Sequence, residues 1–136
     1  MRKVLIVIGF ITVLVGAFWA AQAWNTFRAN AKTAKFNQDV ENLFTGLQKF
    51  KERVGVYPQG SNAEIAKALQ GSNSKNVIIV VGQKNELNDK GEYVDPWGTP
   101  LRIYFSGEGV LIRSAGPNRR FDDSTVLEAD DLFRSN

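Results

Sequence analysis

The sequence predicts an α+β fold, in which a long N-terminal helix carries a small antiparallel β-sheet against its second half. Residues 4–23 are apolar apart from Thr12 and Gln22. Over residues 36–54 apolar side chains recur at every third or fourth position, the period of a helix with one buried face. Over residues 101–105 apolar side chains alternate with arginine and tyrosine, the period of a half-buried strand.

Residues 1–27 are predicted to form a transmembrane helix segment. About twenty apolar residues at about 1.5 Å rise each span about 30 Å, the thickness of a bilayer's hydrocarbon core. Trp19 and Trp24 lie near one end, where indole rings favour the headgroup region, and Arg2 and Lys3 lie at the other. Because cationic flanks stay in the cytoplasm, the rest of the chain is predicted to form an exported head.

Two other interpretations of this segment are open. Ala21-Gln22-Ala23 matches the cleavage pattern of a signal peptide, although the uncharged run is longer than the usual apolar region of such peptides. A buried helix in a soluble domain is the third possibility, but so long an apolar run rarely lies inside so small a domain. The length of the run favours a retained anchor.

Residues 28–54 are predicted to continue the helix as its amphipathic half. The stripe consists of Phe36, Val40, Leu43, Leu47, Phe50 and Val54. Packing against the head is its simplest role, and a seam with neighbouring copies is the alternative. Gly55 and Pro58 are predicted to end the helix.

The remaining elements follow from capping, β-branching and turn signals. Ser61 and Glu64 have the spacing of a capping box and predict a short second helix. Residues 77–81 are β-branched and predict a strand, or an extended segment, that is buried on both sides. Residues 101–105 and 110–114 flank a glycine-rich turn and predict a hairpin, and residues 115–136 are predicted to be loop.

Composition narrows the classes of function. The chain has 136 residues and a net charge of +3, of which Arg2 and Lys3 supply two, so no nucleic-acid partner is indicated. It contains no cysteine, which excludes disulfides and thiolate metal sites, and no histidine, the commonest general base. We therefore expect a protein that is not an enzyme and takes no small-molecule substrate.

An acidic tail contains the side chains of this sequence that are best suited to bind a metal or to take part in catalysis. It contains Asp122, Asp123, Glu128, Asp130 and Asp131. Clustered carboxylates in a loop can bind calcium, but their spacing does not match an EF-hand. The spacing alone favours a solvated loop paired with Arg119, Arg120 and Arg134. Paired carboxylates for hydrolysis are a weaker alternative, because no pocket is indicated.

Several segments together resemble a known family. The long helix is followed by Val56-Tyr57-Pro58, Asp95-Pro96-Trp97-Gly98-Thr99-Pro100, Ser114-Ala115-Gly116-Pro117-Asn118 and Asp130-Asp131-Leu132. This set resembles the major (G-type) pseudopilins of type II secretion systems, within the type IV pilin-like superfamily. The Asp-Pro-Trp-Gly-x-Pro segment followed by Ser-x-Gly is the most specific part of the resemblance.

The resemblance implies a pilin-like fold and a structural function. Pseudopilins sit in the inner membrane with a periplasmic head, and they stack through their N-terminal helices into a short fibre that supports protein export. The implied partners are the lipid bilayer, further copies of the chain and other pseudopilin subunits. The resemblance also implies calcium binding by the C-terminal loop, and by position the ligands would be Asn118, Asp130 and Asp131.

The N-terminal segment differs from the family's pattern. Where the family has Gly-Phe-Thr-Leu-hydrophobic-Glu, this chain has Gly9-Phe10-Ile11-Thr12-Val13-Leu14. Leu14 stands in place of a glutamate that, in the family, pairs with a neighbour's amino terminus. A second hypothesis is therefore an exported binding module on a pilin-like scaffold that recognises a partner without polymerising.

Overall fold

The computed structural model describes residues 2–79, 81, 86–107, 109–122 and 131–135, with the backbone alone over residues 2–12. It contains two helices and three strands within those residues. The elements in order are α1 (Arg2–Val54), α2 (Asn62–Leu69), β1 (Arg102–Ser106), β2 (Gly109–Ser114) and β3 (Leu132–Ser135). The predicted α+β class, with a long N-terminal helix and a small antiparallel sheet, is confirmed.

The chain forms two compact units, Met1–Ala34 and Lys35–Asn136. The first unit is the N-terminal part of α1. The second unit contains the remainder of α1 together with α2 and the sheet, and its apolar side chains form one core.

Helix α1 ends where the sequence predicts. No proline interrupts it, and Gly55 adopts a φ of 105°, a left-handed conformation that suits glycine. The Gly55 N–H donates a hydrogen bond of 2.7 Å to the carbonyl of Lys51, which closes the last turn. The predicted stripe is buried from Phe36 to Phe50.

The core of the second unit joins this stripe to α2, to the loop before β1 and to the sheet. Its buried members are Phe36, Val40, Leu43, Phe44, Leu47, Phe50, Tyr57, Ile65, Ala66, Leu69, Ile79, Tyr93, Trp97, Leu101, Val110 and Ile112. Packing on the chain's own head, one of the two roles predicted for the stripe, is confirmed, and a seam with neighbouring copies stays a prediction.

Gly46 lies on the buried face of α1, where a side chain has no room. A Cβ at this position would lie 2.2 Å from Cγ2 of Val81, a stiff β-branched neighbour. We expect Gly46→Ala to lower the free energy of unfolding by about 1–2 kcal/mol, because overpacking outweighs the gain in helix propensity. Urea unfolding of the full chain in detergent measures it.

Gly16 provides the matched control for that substitution. It also lies in α1, and a Cβ built on it meets nothing within 4 Å. Gly16→Ala should leave the unfolding midpoint of the second unit unchanged. If Gly46→Ala also left the free energy of unfolding unchanged, Val81 would not lie as close to the helix as the structure shows.

Helix α2 begins with the predicted capping box. The Ser61 side chain accepts a hydrogen bond from the Glu64 N–H, and the Glu64 carboxylate accepts one of 2.6 Å from the Ser61 N–H. Asn62 then fixes the helix to the loop before β1. Its side-chain amide donates to the carbonyls of Tyr93 (2.9 Å) and Leu101 (2.8 Å), and its oxygen accepts from the Tyr93 N–H at 2.7 Å.

The sheet has the strand order β1-β2-β3, and both pairings are antiparallel. The β1–β2 hairpin is the predicted one, with Ile103 opposite Ile112 and Ser106 opposite Gly109. Strand β2 also pairs with β3, with Leu111 opposite Ser135.

Two sequence predictions for the second unit are wrong. Within the described residues, the 77–81 segment forms no ladder: Ile78 makes an isolated bridge to Gln70 and is 66% exposed, while Ile79 is buried. Its β-branched residues are therefore not buried on both sides. The tail, predicted to be all loop, returns to the sheet as β3.

Candidate functional site

The part of α1 before residue 34 presents large apolar side chains to its surroundings. From Val13 onward, where side chains are described, seven large ones are between 49% and 70% exposed. They are Val13, Leu14, Val15, Phe18, Trp19, Trp24 and Phe27. Exposed large apolar side chains that are grouped in this way are typical of sites that contact a membrane or another protein.

Two hydroxyls of this segment are hydrogen-bonded within the helix. The hydroxyls of Thr26 and Thr33 donate to the carbonyls of Gln22 (3.0 Å) and Ala29 (3.2 Å). The Arg28 guanidinium lies 5.2 Å from the centre of the Trp24 ring. The segment can therefore enter an apolar environment without leaving these two hydroxyls unpaired.

Within the residues whose side chains are described, no helical stretch combines the length and the apolar character needed to cross a membrane. The predicted anchor, residues 1–27, includes residues 1–12, whose side chains lie outside that description.

The predicted calcium ligands lie around the loop that follows β2 and the residue that precedes β3. Asn118 donates a hydrogen bond of 3.0 Å to the Asp122 carboxylate, and its oxygen accepts one of 2.7 Å from the Arg120 N–H. Asp131 contacts the same loop, because its Oδ1 accepts a hydrogen bond of 3.2 Å from the Asp122 N–H. Asp130 lies outside the described residues.

Asp131 is paired with an arginine that the sequence analysis did not single out. Arg113 Nε lies 2.5 Å from Asp131 Oδ2, and the Asp131 side chain is fully buried. Arg113 Nη2 also donates to the carbonyl of Asp122. One guanidinium thus joins β2 to the loop and to the start of β3.

Several oxygens that would ligate a calcium ion in this loop accept hydrogen bonds from the chain itself. Calcium takes six to eight oxygen ligands, yet the Asn118 amide oxygen, the Asp122 carbonyl and both Asp131 oxygens accept from N–H donors of the chain. Among the described residues, no three acidic, histidine or cysteine side chains form a metal-binding group. These ligand oxygens are thus hydrogen-bonded within the chain, and calcium binding by Asn118, Asp130 and Asp131 stays a prediction.

Two of the arginines expected to pair with the tail make the following contacts in the structure. Arg134 pairs with Glu41 on α1, and Arg120 contributes its backbone N–H to Asn118. The weak sequence signal for Arg113 as the partner of Asp131 was the alternation of β2. This alternation places Arg113 on one face of the sheet and Ile112 on the other. No sequence spacing links it to Asp131, eighteen residues later.

The two most specific segments of the resemblance are joined in the structure. Asp95 is buried, and its Oδ1 accepts hydrogen bonds from the N–H groups of Trp97 (3.0 Å) and Thr99 (2.8 Å). The Ser114 hydroxyl donates to Asp95 Oδ2 at 2.7 Å and accepts from the Gly116 N–H at 3.0 Å. The carboxylate thus holds its own loop and connects it to the end of β2.

A cleft of about 410 Å³ lies between the end of α1 and α2. Its lining includes one carboxylate, Glu64, which is used in the capping box. Hydrogen bonds from Ser61 hold the pKa of the Glu64 carboxyl below its usual value. Asp122 and Asp131 do not line this cleft, so it does not bring together the paired carboxylates that the hydrolase hypothesis requires.

Comparison of the chain with protein-family models, with curated proteins and with solved structures gives no match in any of the three cases.

Proposed function

We propose that this chain is a membrane-anchored, pseudopilin-like structural subunit of a type II secretion apparatus, which assembles through its N-terminal helix to support protein export. One observation carries the proposal. The single helix α1 exposes large apolar side chains from Val13 to Phe27 and then buries a stripe from Phe36 to Phe50 in an α+β head.

The exposed apolar segment needs an apolar environment. Leaving large apolar side chains in water costs about 25 cal/mol for each Å² exposed, and a cluster such as Val15, Phe18 and Trp19 multiplies that cost. Lipid tails and the same segment of a neighbouring copy both remove the cost. Lipid and self-association are therefore the partners of this segment in the proposal.

The charges flanking the segment give the proposed orientation. Arg2 and Lys3 precede the apolar run and stay in the cytoplasm, so the head faces the periplasm and the helix crosses the inner membrane. Trp19 and Trp24 are both exposed, as is expected of indole rings at the headgroup level.

The hydrogen bond between Asp95 and Ser114 also supports the resemblance. These residues belong to its two most specific segments, nineteen positions apart, and they share a contact of 2.7 Å in the buried part of the head. A contact between the motifs gives a physical reason for their occurring together.

Cysteine crosslinking within membranes tests the proposal. The chain has no cysteine, so a Val15→Cys/Phe27→Cys variant carries its only two thiols on the exposed segment. We expect oxidation in isolated membranes to give a ladder of dimers, trimers and larger species, because each copy contacts two neighbours.

The single variant Val15→Cys is the matched control and should stop at dimers. Before oxidation, carbonate washing should leave both variants in the membrane pellet. Release of a soluble chain that begins near Trp24 would contradict the anchor and favour signal-peptide cleavage.

A second candidate function is an exported binding module that does not polymerise. Leu14, which is 61% exposed, favours it, because the resemblance places there a glutamate used in assembly. In the same experiment this function predicts a single crosslinked product with a different protein and no ladder.

A further inference from the structure

Arg113 lies at the centre of the outer face of the sheet. In the β1–β2 register it stands directly opposite Arg102, and in the β2–β3 register it stands opposite Phe133. Like charges placed directly opposite each other on neighbouring strands are destabilising. This face therefore needs a negative group close to its two guanidinium groups.

Asp131 supplies that negative group from the residue before β3. Its side chain is fully buried, whereas the Arg113 side chain is 18% exposed. A carboxylate so completely removed from water must be paired, because an isolated buried charge is strongly unfavourable. Arg113 provides the pairing through the contact between Nε and Oδ2.

The same guanidinium closes the loop that follows β2. It donates to the carbonyl of Asp122, and its Cζ lies 5.4 Å from the centre of the Phe121 ring and 5.0 Å from that of Phe133. The Arg102 guanidinium lies 3.9 Å from the Phe121 ring centre. Phe121 is thus within cation–π distance of both arginines.

Binding of a divalent cation at Asp131 would be unfavourable. To ligate Asp131 it would have to displace the Arg113 guanidinium from Oδ2 or the Asp122 N–H from Oδ1. If it did not displace the guanidinium, it would lie within a few ångströms of a fixed positive charge.

We propose that the Arg113 guanidinium serves as the built-in cation of this loop, binding Asp131 and Asp122 so that the C-terminal strand docks without calcium. Arg113 acts by holding the loop in place, a role that is independent of fibre assembly. The proposal differs from what the family resemblance implies, and it stands or falls separately from the proposed function.

Thermal unfolding of the full chain in detergent tests it, with and without about 5 mM calcium, a concentration that saturates typical extracellular calcium sites. We expect Tm in calcium to differ from Tm in EDTA by less than about 2 °C. Arg113→Met keeps an unbranched apolar stem and removes the guanidinium with its charge, and it should lower Tm by about 10 °C or more in EDTA.

Arg102→Met is the matched control. It removes the same charge one strand away while leaving the Arg113–Asp131 pair intact, so its Tm should fall by less than about 3 °C. If Arg113→Met lowers Tm no more than this control does, the proposal is overturned.

Hydrogen exchange of the unaltered chain provides a readout that needs no variant. The amides of residues 132–135 should be equally protected in calcium and in EDTA. A rise in Tm of about 2 °C or more on adding calcium, or protection of β3 only when calcium is present, would overturn the proposal.

Discussion

Asp95→Ala is expected to lower the free energy of unfolding by about 3–5 kcal/mol. The substitution removes the acceptor of three hydrogen bonds, from the N–H groups of Trp97 and Thr99 and from the Ser114 hydroxyl. Each buried donor left unpaired costs about 1–3 kcal/mol. Urea unfolding of the full chain in detergent, followed by tryptophan fluorescence, measures the loss, since Trp97 is buried next to the altered residue.

Two further variants separate the hydrogen bonds from the charge. Asp95→Asn keeps an acceptor for the backbone donors and can donate to Ser114 Oγ, so we expect it to retain most of the stability. Asp89→Ala removes an exposed aspartate and should change the free energy by less than about 0.5 kcal/mol. An Asp95→Ala variant as stable as Asp89→Ala would refute the proposed role of this carboxylate.

Leu47→Ala is expected to lower the free energy of unfolding by about 2–5 kcal/mol. Leu47 is fully buried in the core that joins α1 to the sheet, and its truncation both removes apolar contact and leaves a cavity. The same urea unfolding measures the change.

Gln48→Ala is the control for this prediction, because Gln48 is the next residue of α1 and is exposed. Its free energy of unfolding should stay within about 0.5 kcal/mol of that of the unaltered chain. Equal effects of the two substitutions would mean that this face of the helix does not carry the sheet.

Local signals in the sequence were sufficient to predict several elements of the structure. Periodicity predicted the buried stripe of α1, the Ser61–Glu64 spacing predicted the capping box, and alternation around a glycine turn predicted the hairpin. In each case the residues that form the element also stabilise it, so the pattern and the structure coincide.

The wrong predictions involved residues whose structure depends on distant partners. The β-branched run at 77–81 has strand propensity, but the Ile79 N–H bonds to the Leu69 carbonyl at the end of α2, which leaves Ile78 exposed. Propensity describes the fit to a sheet, and no neighbouring strand is present there among the described residues. Strand β3 was missed because its stability comes from pairing with β2.

The candidate metal site shows the same difference between what the sequence predicts and what depends on distant contacts. The family resemblance implied that Asn118 and Asp131 lie together, and the structure brings both to the loop around Asp122. Neither the resemblance nor the sequence spacing could reveal that Arg113, on β2, forms a salt bridge with Asp131. Register across three strands determines that contact, and register is a property of the folded sheet.

The long spacing between contacting residues has a consequence for the timing of folding. Glu41 on α1 pairs with Arg134, ninety-three positions later, and Asn62 bonds to Leu101, thirty-nine positions later. Contacts between residues so far apart in the sequence form slowly, because each intervening loop must close first. We therefore expect the contacts that β3 makes with β2 and α1 to form after the local turns of the helices.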